Sequence, residues 1–266
     1  MRPDIFDDRT LHAALGDLPL GGIRYLPTVT STNDLAMTWA KDGAADMSLV
    51  IAEEQTSGRG RGGAGWFSMP GASLTFSLVL RPTPPVTPHL GMYTGLAALA
   101  FTQVLEDEFG LKPQIKWPND VLLDRKKVCG ILVETGWMGD HLDILVIGVG
   151  INITKDAIPH HGNLKIAATN LEESAGTRVD RLRLLHSLLL YFPVWRDMIG
   201  TKRYQQAWDE HLAYRGERVR VWSEGREPQK GLVVGLDSQG SLLLRTPEEQ
   251  IIPVQFGEVH LRADVL

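Results

Sequence analysis

The stretch EEQTSGRGRGGAGW, Glu53–Trp66, directly follows an apolar run, SLVIA (48–52). Gly58, Gly60 and Gly63 satisfy G-x-G-x-x-G after a strand, the fingerprint of a dinucleotide-binding turn. Such a turn must open into a helix. Here the chain continues as AGWFSMPGAS (64–73), where Gly65, Pro70 and Gly71 leave no clean helix start. A doubly wound nucleotide fold is therefore excluded, and a G-x-x-x-x-G-K-[ST] phosphate loop is absent. Seven of the fourteen residues are Gly or Arg, so the segment buries little and reads as a loop. Arg59 and Arg61 lie two apart and, in an extended loop, face the same side. Flanking glycines let backbone N–H groups approach a ligand closely. Trp66 offers a flat aromatic face. The combination suits a ligand with a carboxylate, a phosphate and an aromatic ring.

Outward from this loop, the sequence alternates strands and helices. Ser31 or Thr32 is a candidate N-cap for a helix over Asn33–Lys41. SLVIAE (48–53) is a buried strand, and SLTFSLVL (73–80) alternates as a half-buried one. PTPPVTP (82–88) is a loop. Leu90–Phe109 is an Ala- and Leu-rich helix closed by Gly110. QIKW (114–117), KVCGILVET (127–135) and HLDILVIGVGINI (141–153) are strands. GWMGD (136–140) is too short for a crossover helix, so the strands it joins must pair antiparallel. Asp180 to Ile199 is helical with Pro193 expected to kink or split it, and Thr201–Tyr214 forms another helix. From Glu217 onward, four short strands separated by SEGREPQ, DSQG and PEE suggest a small all-β barrel. The division falls at residues 1–215 and 216–266.

Composition bounds the function. The 266 residues carry 43% hydrophobic and 22% charged residues, enough for a real core. A net charge of -5 argues against general nucleic-acid binding. Cys129 is the only cysteine, which favours a reducing compartment. The charged start lacks the apolar core of a signal peptide, and no run of about 20 apolar residues exists. A cytoplasmic protein with no membrane contact is expected. The eight histidines form no metal motif, and His160–His161 reads as a solvated loop pair.

A second cluster, KWPNDVLLDRKKVCGILVE (116–134), carries chemistry. Pro118 ends the strand and forces Trp117 to be extended. Asn119 and Asp120 then sit at the strand's mouth, a common place for functional residues. Lys116 precedes them and Lys127 opens the next strand. Gly130 marks a bulge or a place where a ligand meets backbone.

TSTN (30–33), QTSGRGR (55–61), KWPND (116–120), KVCGILVE (127–134) and GVGINI (148–153), in this order, resemble the biotin–protein ligases. The likeness covers about residues 24 to 155, and the C-terminal strands fit the family's usual appendage. It implies an α/β fold of the class II aminoacyl-tRNA synthetase type, with a mixed, mostly antiparallel sheet, flanking helices and a C-terminal SH3-like barrel. It also implies a two-step reaction. Biotin's carboxylate attacks the α-phosphorus of ATP, and a lysine of a biotin carboxyl carrier domain then takes the biotinyl group. Mg²⁺ is expected with ATP, with no protein metal ligands assigned. The lipoate ligases of the same superfamily share the adenylation logic and usually carry different loop motifs.

By this resemblance Lys116 bridges the biotin carboxylate and the α-phosphate, and Arg59 and Arg61 close over the adenylate as the loop orders and excludes water. Ser31, Thr32, Asn33, Gln55, Gly58, Arg59, Arg61, Lys127 and Gly130 bind biotin. Arg61, Trp66, Lys116, Asn119 and Asn152 bind ATP or the adenylate. Asp120 is either the base for the incoming lysine or its orienting acceptor. Cys129 lines the pocket as a small apolar group. Some family members carry further basic residues where this chain has Gly62, Gly63, Ala64 and Gly65, which weakens the expected pyrophosphate contacts. Thr30 replaces an acidic residue often found before the Ser-Thr pair. About 25 residues precede the first motif, too few for a winged-helix domain, so no operator binding is expected. Members of the family occur as monomers and as dimers, and a homodimer through the sheet edge is one assembly the resemblance allows.

Overall fold

A computed structural model describes residues 6–82, 89–159, 167–223, 227–255 and 259–263. Most of the loop expected over 82–88, and the His160–His161 pair, lie outside them.

The larger unit is a seven-stranded sheet in the order β1 (Gly22–Val29), β2 (Ser48–Gln55), β3 (Ser73–Leu80), β7 (His141–Asn152), β6 (Lys126–Met138), β5 (Asp120–Leu123) and β4 (Gln114–Lys116). Only β1 and β2 are parallel, joined across α2 (Thr32–Lys41). Ser31 caps α2 through its hydroxyl, which accepts the Asp34 amide. The sheet is mixed and mostly antiparallel, as expected.

SLTFSLVL is buried at all eight positions rather than on one face. Leu74, Phe76, Leu78 and Leu80 enter the main core with α3 (Met92–Phe109) and α5 (Arg181–Arg196). Val79 packs with Val50, Ile144 and Val146 against Ala36 and Ala40 of α2 on the opposite face. A central strand covered on both sides keeps its alternation but loses its solvent face. The helix α3 ends on left-handed Gly110. Gly95 within it has no room for a side chain, because a Cβ there would stand 2.5 Å from the Trp208 ring.

Several elements differ from expectation at their boundaries. The helix α1 (Asp8–Leu15), started by an Asp7–Thr10 capping box, was not anticipated. The residues after Pro118 form β5, which puts Asp120 inside a strand. The helix α5 runs through Pro193 to Arg196 without a break. The following helix, α6 (Lys202–Glu210), stops short of Tyr214. Residues 211–213 instead flank β4: the Ile115 amide donates to His211 O (2.7 Å) and the Ala213 amide to Ile115 O (2.9 Å). This covers an edge strand that would otherwise expose unpaired backbone. A short helix, α4 (Leu171–Ala175), precedes α5.

The C-terminal part is a five-stranded antiparallel sheet, β11 (Ile251–Val254), β10 (Leu242–Arg245), β9 (Gln229–Leu236), β8 (Arg218–Ser223) and β12 (Val259–Ala263). The fifth strand, paired with β8, was not foreseen. Val219, Val221, Val233, Leu236, Leu242 and Leu244 join the same continuous core as the large sheet.

Gly95→Leu tests this packing. At an exposed helical site, replacing glycine stabilises by up to about 1 kcal/mol. Against Trp208 it should instead cost about 1–3 kcal/mol through overpacking, read as a lower urea midpoint. A raised midpoint would contradict the packing described.

Candidate active site

Register builds the site before any side chain is considered. Cross-strand partners run Ala52–Thr75, Thr75–Gly150, Gly150–Gly130, Gly130–Asp120 and Asp120–Lys116. This single row crosses six strands. Partners directly opposite share a face, so the row places two glycines between Thr75 and a charged end of Asp120 and Lys116. A cavity of about 350 Å³ opens above it.

One wall comes from the start of α2. Thr32 donates its amide (2.7 Å) and its hydroxyl (3.0 Å) to Gln55 Oε1. The Ser77 hydroxyl lies within hydrogen-bonding distance of Thr32 Oγ1 (2.8 Å) and Asn33 Oδ1 (2.6 Å). Asn33 donates to Glu134 (2.7 Å). Its amide fits only because Gly148 has no side chain, since a Cβ there would stand 2.2 Å from Asn33 Oδ1.

The glycine–arginine loop forms the lid. It is folded back on itself: the Trp66 amide donates to Gly58 O (2.9 Å) and the Gly60 amide to Ala64 O (2.6 Å), around a 3-10 turn at Arg61–Gly63. That reversal sends the two arginines apart rather than to one side. Arg59 pairs with Asp34 (2.5 Å) and Glu134 (2.8 Å). Arg61 reaches Asn119 Oδ1 (3.5 Å) at the charged end. The Trp66 indole lies on the glycine pair. A Cβ on Gly150 would come within 2.3 Å of that ring, and one on Gly130 within 2.9 Å. The Lys127 ammonium stands 5.5 Å from the Trp66 ring centroid, a cation–π contact.

At the charged end, the buried Asp120 carboxylate is 2.5 Å from Lys127 Nζ and 3.7 Å from Lys116 Nζ. Burial by itself raises the Asp120 pKa. Lys127 foremost, then Lys116, outweigh it and hold the carboxyl below the usual carboxylate range. Burial pulls the Lys116 ammonium below the usual lysine value, and Asp120 offsets this only in part. Burial pushes the Cys129 thiol up, so it is neither a nucleophile nor a ligand at neutral pH. Among the described residues, no group of three or more His, Cys, Asp or Glu is placed to hold a metal ion.

Residues 25–152 match the model of the biotin/lipoate A/B protein ligase family, and residues 215–262 that of the biotin protein ligase C-terminal domain. The chain is 33% identical over 243 residues to a biotin–[acetyl-CoA-carboxylase] ligase of Paracoccus denitrificans, covering 86% of this chain and 96% of that one. The chain belongs to the biotin/lipoate A/B protein ligase family. It is also 35% identical over 229 residues to the bifunctional ligase/repressor BirA of Bacillus subtilis, covering 84% of this chain and 69% of that protein. A biotin protein ligase from Aquifex aeolicus in complex with biotin and ATP superposes with a TM-score of 0.78 at 29% identity, over 91% of this chain and 99% of the other.

Within this family member, Ser31, Thr32, Asn33, Gln55, Arg59, Arg61, Trp66, Lys116, Asn119, Asp120, Lys127 and Gly130 all line one cavity. Three expected residues do not. Cys129, expected to line the pocket, is buried in the main core on the opposite face from Gly130. Gly58 serves the loop through its backbone, and a Cβ there would strike Trp66 O at 2.4 Å. Asn152 lies two positions beyond the cavity row, opposite Ser73, and donates to Thr169 O (3.1 Å). The sequence reading missed Thr75, Gly148 and Gly150. The last two lie two apart in a strand, and that alternation was a legible sign of a bare strip on one face.

A pH dependence of stability follows from Asp120. Its folded pKa is depressed, so its ionised form stabilises the fold above the unfolded value near 3.8. That contribution is lost as pH falls through the lower folded value. Asp120→Asn should reduce this acid limb on a plot of urea midpoint against pH, leaving the share of Asp7 and Asp17, whose pKa values are also lowered. It should also cost about 3 kcal/mol at pH 7 by leaving two lysines uncompensated. An unaltered acid limb would show that Asp120 is not held ionised as described.

Proposed function

We infer that this chain is an ATP-dependent biotin–protein ligase, which forms biotinyl-5′-AMP from biotin and ATP and transfers biotin to a lysine of a biotin carboxyl carrier domain. The observation that carries this reading is the cross-strand row. It sets a glycine floor that seats Trp66, a polar wall and a lysine-flanked carboxylate in one cavity beneath a cationic loop.

In the first step two anions must meet. Lys116, nearly buried, offsets their repulsion more strongly than it would in water. Arg61 adds charge from the lid. The ureido ring of biotin takes the Ser31, Thr32, Asn33 and Gln55 wall, with Lys127 and Gly130 completing that side of the site. The carboxylate points to Lys116 and Lys127. Trp66, seated on Gly130 and Gly150, presents its free face to adenine, with Asn119 on the phosphate side. Mg²⁺ travels with ATP and screens its phosphates when bound. The closed lid keeps water from the mixed anhydride.

In the second step an ammonium must lose its proton, which costs about 4–5 kcal/mol at pH 7. Asp120, held below the usual carboxylate range by Lys127 and Lys116, is a poor acceptor for that proton. Asp120 therefore orients the amine and balances developing positive charge, and solvent takes the proton. Residues 1–215 form the catalytic unit and 216–266 the appended one. In a homodimer, the segment of β6 beyond Leu132, which has no strand beside it on its outer side among the described residues, is the edge for association.

Purified protein with labelled biotin, ATP and a carrier domain, with lipoate as competitor, tests the assignment. Labelled carrier that lipoate does not suppress is expected; lipoate transfer instead would overturn it. Lys116→Ala should lower the rate of adenylate formation about 10²- to 10³-fold with a much smaller change in biotin affinity. Equal losses of both would mark Lys116 as a binding residue only.

A further inference from the structure

Behind the active site, on the core face of the sheet, lies a charge pair that touches no part of the cavity. Arg181, the first residue of α5, is 1% exposed, and Glu53 of β2 is 2% exposed. Arg181 Nη1 donates to Glu53 Oε2 (2.9 Å) and Nη2 to Oε1 (3.0 Å). Burying such a pair rarely adds net stability over apolar residues of similar volume. Its connections indicate what else it does.

Glu53 lies just before the loop segment, two residues ahead of Gln55 in the cavity wall. Its Oε2 also accepts the Gly71 amide (3.0 Å), at the loop segment's exit. Arg181 Nη1 donates to Ser73 O (2.8 Å), two residues before Thr75 on the cavity row. Oε1 accepts the Phe6 amide (2.8 Å), and the Phe6 ring lies 4.2 Å from the guanidinium carbon. Thus one fork of two charges ties the entry and the exit of the segment 54–72. Nearer the tip, the Gln55 amide donates to Ser68 Oγ (2.7 Å). The tip itself is held by Arg59 and Arg61 through partly exposed contacts.

We propose that Arg181 and Glu53 are positioning residues for the active-site lid. They hold its two feet at one spacing, so that the tip closes over the cavity with Arg61 and Trp66 in register. This rests on the ligase reading for its kinetic consequence, while its structural consequence is independent of it.

The double variant Glu53→Leu/Arg181→Met replaces the pair by apolar groups and keeps the core filled. Three quantities are read well below the melting temperature: the urea midpoint, trypsin cleavage after Arg59 and Arg61 without ligand, and escape of biotinyl-5′-AMP from the protein. Cleavage and escape should each rise about tenfold, while the midpoint falls because the Phe6 and Gly71 amides lose their acceptor. A lowered midpoint with unaltered cleavage and escape would leave the pair a plain structural contact and overturn the proposal. If the unmodified protein makes no adenylate, the ligase reading fails, and the cleavage rate without ligand still decides the clamp. Should the variant not fold, hydrogen exchange on the unmodified protein decides it. The Phe6 and Gly71 amides should exchange as slowly as core strands while 58–66 exchanges quickly. Exchange of both amides at the loop's rate would refute the clamp.

Discussion

Strand register is the constraint on which the site depends. Side chains alternate faces along a strand, so a slip of one residue between β5 and β6, or between β6 and β7, would turn Asp120 or Gly130 into the main core. The cost would be severe, because Ile115, Val121, Cys129, Ile131, Val149 and Ile151 would leave that core at the same time. The hydrophobic pattern that stabilises the fold therefore also specifies the active-site row. Packing and chemistry are read from alternate residues of the same strands.

Electrostatics then divides the cavity into two ends with different charge balance. At the charged end Lys116, Lys127 and Arg61 surround one buried carboxylate, so the excess is positive. That excess suits a carboxylate and a phosphate together. At the other end Arg59 is paired with two carboxylates, Asp34 and Glu134, so there is no positive excess, and the wall is otherwise neutral amides and hydroxyls. A neutral ureido group is better served there than by an unpaired charge. The spread of the two arginines, contrary to a simple extended loop, follows from this division. One arginine latches the lid to α2 and β6, and the other joins the cationic end.

Much of this was legible in the sequence. Five motifs in order identified the family, and twelve of the expected residues do share one cavity. What was not legible depended on pairing partners. Nothing local tells that SLTFSLVL is central and covered on both faces, or that Asp120 lies within a strand opposite Gly130. The GVGINI motif marked a site, yet only the sheet order shows that Gly148 and Gly150 reach the cavity while Asn152 passes its end. The fifth C-terminal strand, VHLRA, is short and polar at alternate positions, so it lacked the apolar run that announced the other four.

The appended sheet bears on the same row. Lys116 sits on a strand of three residues, the outermost of seven, which by itself would fray. Two contacts oppose fraying. Residues 211–213, on the path to the C-terminal sheet, bond the outer side of β4 at Ile115. The next residue, Trp117, is fully buried, and its indole N–H donates to Gly240 O in the turn between β9 and β10 (2.9 Å). Lys116 is thus held from one side by Asp120 and, through the adjacent Trp117, from the other by a part of the chain more than a hundred residues away. A small sheet with no described residue lining the cavity still limits how far Lys116 can move.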